Sequence, residues 1–237
     1  MDAGTVARRA WANRLGTSPD VFEHDGLVML ARPWDSVVVV ELGRCCVVAG
    51  PVTVIDGPAH VDRRVMGDAD SLAALLGGPP TARAIGTADL WFTGIPVGAD
   101  LGDTTEATDA DLATLRADCS PAEFDESGLA ELSRRWVSRT AAGAVAASAG
   151  YAPWAHTLAH VGVLSAPPHR GQGHAYRAAA RAVDEALAEG LIAQWRCRVG
   201  NDASARLAQR LGFTWAGRQT AVRLRQAERR DPGSSLG

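Results

Sequence analysis

The chain has 237 residues, of which 46% are hydrophobic, and its formal net charge is −3 at pH 7. This length allows one large domain or two small ones with a proper hydrophobic core. The sequence has no basic stripe of the kind that binds nucleic acid. It also has no apolar run near the ~20 residues that a membrane-spanning helix needs. From these two observations, neither a nucleic-acid partner nor a membrane partner is expected.

The four cysteines, Cys45, Cys46, Cys119 and Cys197, are too few and too irregular for a disulfide scaffold. Residues 1–9 are polar and no signal-peptide apolar region follows them. Both observations favour free thiols and a cytoplasmic location. The exclusive use of arginine as the basic side chain, with abundant alanine, indicates a GC-rich bacterial genome.

In chain order, the N-terminal part predicts a helix over 6–15, two valine-rich buried strands over 37–42 and 46–49, and a short helix over 69–76. Gly77-Gly78-Pro79-Pro80 ends this last helix and is a plausible boundary. Residues 1–80 are therefore predicted to be an N-terminal α/β lobe of unknown role. They form either a separate lobe or an elaboration of the sheet that follows.

The predicted elements continue with an extended segment over 82–92, a loop over 93–105, a helix over 108–118, a helical segment over 121–135 broken at Ser127-Gly128, and a hairpin over 136–151. A strand over 157–165, a helix over 173–189, a strand over 191–199, a helix that starts at Asn201 and a final strand come next. This order predicts a mixed α/β fold with helices packed on a twisted sheet. Residues 81–225 are predicted to be one domain, and the tail 226–237 to be disordered.

The most informative segment is the glycine-rich turn between the strand over 157–165 and the following helix, His169-Arg170-Gly171-Gln172-Gly173-His174-Ala175. Backbone N–H groups at the start of a helix point outward, and the helix dipole adds roughly half a positive charge there. Phosphate oxygens are the natural occupants of such a turn. The sequence therefore predicts a phosphate-bearing cofactor.

Two common phosphate-binding motifs do not fit this turn. A P-loop needs a Gly-Lys-Ser/Thr ending, and no lysine follows the turn. A dinucleotide fingerprint needs a third glycine where this chain has Tyr176, which is too bulky for close helix–strand packing. The next predicted strand also lacks the Asp or Glu that would hold a ribose, since it ends in Arg196-Cys197-Arg198.

Arg170-x-x-Gly173-x-Ala175 resembles the Gln/Arg-x-x-Gly-x-Gly/Ala signature of the GNAT acetyltransferases, which binds the pyrophosphate of acetyl-coenzyme A. At the expected distance, the helix from Asn201 to Leu211-Gly212-Phe213 is similar to the second signature of that family. The resemblance covers residues 151–224, roughly a third of the chain. It implies a GNAT-type acyl-CoA N-acyltransferase fold with an additional N-terminal α/β segment, and acetyl-CoA as the acyl donor.

The resemblance also assigns cofactor-binding residues. Arg170 is expected to reach phosphate because its guanidinium suits bidentate oxygen recognition. The family's strand splays from its neighbour, and its freed backbone groups bind the pantetheine arm and polarise the thioester carbonyl. In this chain these expectations fall on the backbone amides of Val163, Leu164 and Ser165 in the strand, on those of Gly171, Gln172, Gly173, His174 and Ala175 in the turn, and on Asn201 and Ser204 in the last helix. The side chains of His169 and His174 are expected to be exposed loop residues rather than catalysts.

The implied reaction is direct attack of an amine on the thioester carbonyl. Many GNAT enzymes have a tyrosine after the leucine equivalent to Leu207 as general acid, whereas this chain has Ala208. Ser204 or water is then the proton donor, and Asn201-x-x-Ser204 is similar to the ribosomal-protein N-terminal acetyltransferase branch. Candidate bases are Glu123, Asp125, Glu126 and His160. Of these, Glu123 is otherwise a solvated helix carboxylate, and His160 is otherwise a hydrogen-bonded core histidine.

No metal is expected. His156 and His160 share one face of a strand but lie about 13 Å apart along it at ~3.3 Å per residue, and no cysteine or carboxylate cluster is near them. The predicted function is N-acetyl transfer to a primary amine, either a small molecule or a peptide or protein N-terminus, by a monomer or homodimer. The alternative is an acyl-CoA-binding regulatory or inactive module without transferase activity.

Overall fold

The structure is a computed structural model that describes residues 2–56, 62–99, 101–102 and 104–225. Its contacts divide the chain into two compact units, one formed by Met1–Phe22 with Asp89–Gly217 and the other by Glu23–Ala88 with Arg218–Gly237. The predicted disordered tail, residues 226–237, lies outside the described residues. The boundary predicted near residue 80 stays a prediction.

The helices in chain order are α1 (Ala3–Leu15), α2 (Val52–Ile55), α3 (Arg63–Met66), α4 (Ala69–Leu75), α5 (Asp109–Asp118), α6 (Pro121–Ser127), α7 (His174–Ala188) and α8 (Asp202–Arg210). The strands are β1 (Gly26–Ala31), β2 (Ser36–Leu42), β3 (Cys45–Gly50), β4 (Ala82–Thr93), β5 (Thr104–Glu106), β6 (Arg134–Arg139), β7 (Val145–Trp154), β8 (Leu158–Ser165), β9 (Ile192–Arg198) and β10 (Thr214–Leu224). The predicted mixed α/β fold is confirmed.

The larger unit is built on a mixed sheet in the order β10-β4-β9-β8-β7-β6-β5. β6, β7 and β8 are antiparallel neighbours, and β8 runs parallel to β9. Helix α7 packs on this sheet through small residues, among them Ala179, Ala182 and Val183, which are fully buried with Trp195 of β9. Small side chains let the helix lie close to the strands, as its alanine stripe predicts.

A second core of the larger unit holds α5 and α6 against the sheet, with Leu115, Phe124, Leu129 and Leu164 buried together. Ser120 caps α6, and the helix ends at Ser127 because Gly128 adopts a left-handed conformation with φ of 65°. The predicted helical segment over 121–135 is therefore wrong at its C-terminal end, where Leu129–Glu131 is a 3₁₀ turn and β6 begins.

The smaller unit contains α2, α3, α4 and a sheet in which β3 is antiparallel to β2 and parallel to β1. Residues of β4 and β10 belong partly to this unit and partly to the larger one. Its core combines valines of β2 and β3 with Leu72 of α4. The two predicted valine-rich strands and the predicted helix α4 are confirmed, whereas β1 is a strand that the sequence patterns did not indicate.

No helix in the described part of the chain is long and apolar enough to cross a membrane.

Candidate functional site

The central feature of the site is the point where two parallel strands separate. β8 and β9 pair from Leu158↔Ile192 to Val161↔Trp195, and their register ends there although both strands continue. β8 stays paired on its other side with β7 as far as Ser165, opposite Ala147. The backbone of residues 162–165 therefore lies along a gap between β8 and β9. The family resemblance implied such a separation of the two strands.

The glycine-rich turn lies at the end of the same strand. Gly171 and Gly173 have φ of 76° and 87°, in the left-handed region that favours glycine. Gly173 is the N-cap of α7, and it has no side chain to accept hydrogen bonds from the first-turn N–H groups. The start of α7 thus offers backbone donors and the positive end of a 15-residue helix to an anion.

A pocket of about 560 Å³ joins the strand gap, the turn and the start of α8. Most of the predicted site residues line it: Glu123, His160, Val163, Leu164, Ser165, Arg170, Gly171, Gly173, Ala175, Asn201 and Ser204. Gln172 and His174 are not among its lining residues. The exposed Gln172 side chain donates to the carbonyl oxygen of Pro168 at 3.1 Å.

His174 is buried, with 7% of its surface exposed, so its expected exposure is wrong. Its Nδ1 lies 3.0 Å from the Ser138 hydroxyl and 3.0 Å from Nη2 of Arg177. Because arginine only donates, Nδ1 is the acceptor and the ring carries its proton on Nε2. Burial and then the Arg177 charge lower the pKa of His174, which keeps the ring neutral. His174 therefore holds Arg177 beside the turn instead of facing the pocket.

Glu123 is held from two sides. Its Oε2 accepts from the Ser120 amide at 3.2 Å and from the Ser120 hydroxyl at 2.8 Å, which completes a capping box at the start of α6. Its Oε1 accepts from Nη2 of Arg170 at 2.7 Å. The Ser120 hydroxyl, the Ser120 amide and Arg170 together hold the pKa of this carboxyl below its usual range. These contacts make Glu123 a poor proton acceptor.

His160 lines the pocket on β8 just before the strands separate. Its Nδ1 is buried and has no hydrogen-bond partner among the described residues. Burial, followed by the charge of Arg196, lowers the pKa of His160 to about 4, so the ring is neutral at pH 7. A neutral imidazole with an unsatisfied nitrogen beside a pocket is able to accept a proton or a hydrogen bond from a ligand.

Ser204 lies on the first turn of α8, and its amide donates to Oδ1 of the N-cap residue Asn201 at 3.1 Å. Its hydroxyl oxygen accepts from Nε1 of Trp195 at 2.9 Å. Since the indole can only donate, the hydroxyl hydrogen of Ser204 remains for another acceptor. Ala208, one turn later, is fully buried and does not line the pocket.

Several pocket residues were not predicted as part of the site. Among them are Ser127, Tyr176, Cys197, Arg206 and Arg210. Trp195, Arg196 and Cys197 are consecutive residues of β9 at the point where it separates from β8, and all three line the pocket. Ala203, at the start of α8, also lines the pocket and is exposed. Among the described residues, no group of three or more His, Cys, Asp or Glu side chains is arranged to hold a metal ion.

A family model described as GNAT acetyltransferase matches residues 140–221. Among solved structures, an acetyltransferase of the GNAT family from Novosphingobium aromaticivorans is 23% identical over 66% of this chain and 80% of its own, with a TM-score of 0.49. A Drosophila protein is 16% identical over 69% of this chain and 57% of its own, with a TM-score of 0.50. A ribosomal-protein-alanine N-acetyltransferase from Brucella melitensis is 18% identical over 52% of this chain and 99% of its own, with a TM-score of 0.40.

No curated protein gives a significant match. At 16% identity the likeness to the Drosophila protein concerns the fold alone, and nothing further is inferred from the two structures with TM-scores below 0.5. The family match falls on the segment that contains β7, β8, the glycine turn, α7, β9 and α8. The resemblance to the GNAT acetyltransferases and the GNAT-type fold that it implies are therefore confirmed, and the family implies acyltransferase activity.

Proposed function

We propose that this chain, whose residues 140–221 match the GNAT acetyltransferase family, moves an acetyl group from acetyl-CoA to a primary amine. The acceptor is a small molecule or a peptide or protein N-terminus. The proposal includes a cytoplasmic location, no metal, no nucleic-acid or membrane partner, and a monomer or homodimer. The observation that carries it is that one pocket joins the splayed end of β8, the glycine turn and the Asn201 cap of α8.

The turn is the proposed site for the diphosphate of the acyl donor. The amides of residues 171–175 supply donors that are already oriented, and the guanidinium of Arg170 supplies charge. The backbone of Val163, Leu164 and Ser165 is proposed to pair with the pantetheine arm and to polarise the thioester carbonyl. Asn201 is proposed to hydrogen-bond the same arm. When bound, acetyl-CoA supplies an activated acyl group, and the chain contributes position and electrostatics.

The proton acceptor proposed here is His160 rather than Glu123. His160 lies on β8 beside the splayed residues and its Nδ1 has no partner among the described residues, whereas Glu123 belongs to the capping box of α6. With a pKa of about 4, the His160 ring is a weak base, so it requires an amine that already exists partly in its neutral form at pH 7. This favours an α-amine, with a pKa near ~8, over a lysine side chain, with a pKa near ~10.4. Ser204 is the proposed donor to the departing thiolate.

The binding part of the proposal is tested by titrating the chain with coenzyme A in a calorimeter. Gly173→Glu puts bulk and negative charge where phosphate is expected, and we expect it to abolish measurable binding. Gly190→Ala is the control. Gly190 also has a left-handed backbone, with φ of 79°, but it follows the C-terminal end of α7 and does not line the pocket. Unchanged affinity in Gly173→Glu would contradict the assignment.

The second candidate function is an acyl-CoA-binding module without transferase activity. Ala208 favours it, since the position where many GNAT enzymes have a tyrosine carries a buried methyl group. Release of free thiol from acetyl-CoA, measured with a panel of α-amines and lysine-like amines, separates the two functions. Tight binding without turnover of any amine would favour the module.

A further inference from the structure

The guanidinium of Arg170, which the proposed function assigns to phosphate, already has a partner within the chain. Its Nη2 donates to Oε1 of Glu123 at 2.7 Å, and its Nε donates to the carbonyl oxygen of Ser165 at 3.3 Å. The Arg170 and Glu123 side chains are 47% and 41% exposed, and both residues line the pocket. The ion pair thus lies at the turn, in water, where it can exchange partners at little cost.

The position of Glu123 is fixed by local structure. As the third residue of α6, it returns its Oε2 to the amide and hydroxyl of Ser120, the N-cap. This capping box orients the carboxylate, so its second oxygen is presented to Arg170 without further ordering of the Glu123 side chain. The helix itself is fixed by Phe124, which is buried in the core of α5 and α6.

We propose that Glu123 is an exchangeable counter-ion of Arg170: it holds the guanidinium while the turn is empty of ligand and releases it to the diphosphate of coenzyme A. This inference rests on the proposed function. A diphosphate carries more charge than one carboxylate and offers several oxygens to the guanidinium fork, so it displaces Glu123. Glu123 then lowers the affinity for coenzyme A, because its contact with Arg170 is lost on binding.

The exchange also changes the wall of the pocket. After Arg170 turns to the diphosphate, Ser120 still holds Oε2 of Glu123, and Oε1 is left facing the pocket without its cation. A free carboxylate oxygen on α6 is complementary to an ammonium group. Occupation of the turn by the acyl donor would thereby prepare a contact for a cationic acceptor.

The test compares calorimetric affinities for coenzyme A in the full chain. Glu123→Gln removes the charge and keeps the capping box, because glutamine also serves at this position. We expect Glu123→Gln to bind coenzyme A about two- to fivefold more tightly, the range that an exposed ion pair contributes. Asp125→Asn is the matched control, since Asp125 is exposed on the same helix and does not line the pocket. It removes the same charge and should leave the affinity unchanged.

Arg170→Gln completes a double-mutant cycle. Arg170→Gln should bind coenzyme A more weakly than the parent chain, and adding Glu123→Gln to it should give no further gain. The inference is overturned if Glu123→Gln has the parent affinity, if Asp125→Asn gains as much, or if the gain persists without Arg170. If neither the parent chain nor any variant binds coenzyme A, the proposed function itself fails, and that outcome is distinguishable from the others.

Discussion

Replacing Gly162 by alanine tests the contact that fixes one wall of the pocket. A Cβ at this position would lie 2.2 Å from the carbonyl oxygen of Ser127 at the end of α6, and 3.2 Å from Cδ1 of Leu132. Real Cβ atoms do not approach within 3.0 Å of such atoms, so strand β8 and the end of α6 must separate by about 0.8 Å. The obstacle is backbone, which cannot rotate away as a side chain can.

The expected cost follows from this overlap. Overpacking of a close contact costs about 1–3 kcal/mol. For a chain of this length each kcal/mol lowers the melting temperature by about 2–4 °C, so we expect a loss of about 2–12 °C. Since Glu123, Glu126 and Ser127 of α6 line the pocket, the displacement should also weaken binding of coenzyme A, by about three- to tenfold.

Gly150→Ala is the matched control for this experiment. A Cβ at Gly150 would lie 2.1 Å from the carbonyl oxygen of Arg134, an equally severe contact between β7 and β6, and neither residue lines the pocket. Thermal unfolding followed by circular dichroism should show similar losses in both variants, and calorimetry should show weaker binding only in Gly162→Ala. A melting temperature of Gly162→Ala within about 1 °C of the parent would refute the close approach of α6 to β8. Equal loss of affinity in the two variants would refute the explanation that displacement of α6 at the pocket weakens binding.

Three further predictions concern single polar groups. Ser204→Ala should lower kcat by about 10²-fold, because the hydroxyl is proposed to donate a proton to the departing thiolate. The affinity for coenzyme A should stay within about twofold of the parent value. An unchanged kcat in thiol-release assays would exclude this role. The pKa of His160 is about 4 in the folded chain and about 6.5 in the unfolded chain. The contribution of its neutral ring to the free energy of unfolding is therefore complete above about pH 6.5 and is lost as the pH falls toward 4, by up to about 3 kcal/mol. Denaturant titrations should therefore show a shallower acid decline in His160→Gln, and an identical pH dependence would contradict the assignment. His174→Leu should lower the free energy of unfolding by about 1–3 kcal/mol, because the buried Ser138 hydroxyl loses its partner; equal urea midpoints would rule this out.

The features that the sequence predicted correctly are those specified by residues close together in the chain. Thr108 and Asn201 cap α5 and α8 by accepting from an amide three residues later, and such a cap is visible in the sequence. The turn around Gly171 and Gly173 is equally local, because only the backbone preference of glycine is needed to form it. The end of α6 at Gly128 belongs to the same class.

The features that the sequence did not predict depend on contacts between distant residues. The burial of His174 follows from Ser138, which is 36 residues away on β6. The pairing of Glu123 with Arg170 spans 47 residues, so the carboxylate could not be distinguished from a solvated one by inspection of α6 alone. The position of β4 between β9 and β10 is likewise a long-range pairing, for which local periodicity carries no signal.

The absence of a tyrosine at position 208 has a structural reason in the packing around Trp195. Ala208, Trp195 and Phe213 belong to the same buried core, and the rings of Trp195 and Phe213 meet edge to face at 5.6 Å. A tyrosine at the fully buried position 208 would add a ring to a core that already contains these two rings and those of Trp91, Trp136 and Tyr151. The indole of Trp195 instead reaches the pocket and binds the hydroxyl of Ser204. Under the proposed function, the polar hydrogen for the departing thiolate is therefore the hydroxyl hydrogen of Ser204, one turn earlier on α8, whose oxygen accepts from the indole of Trp195.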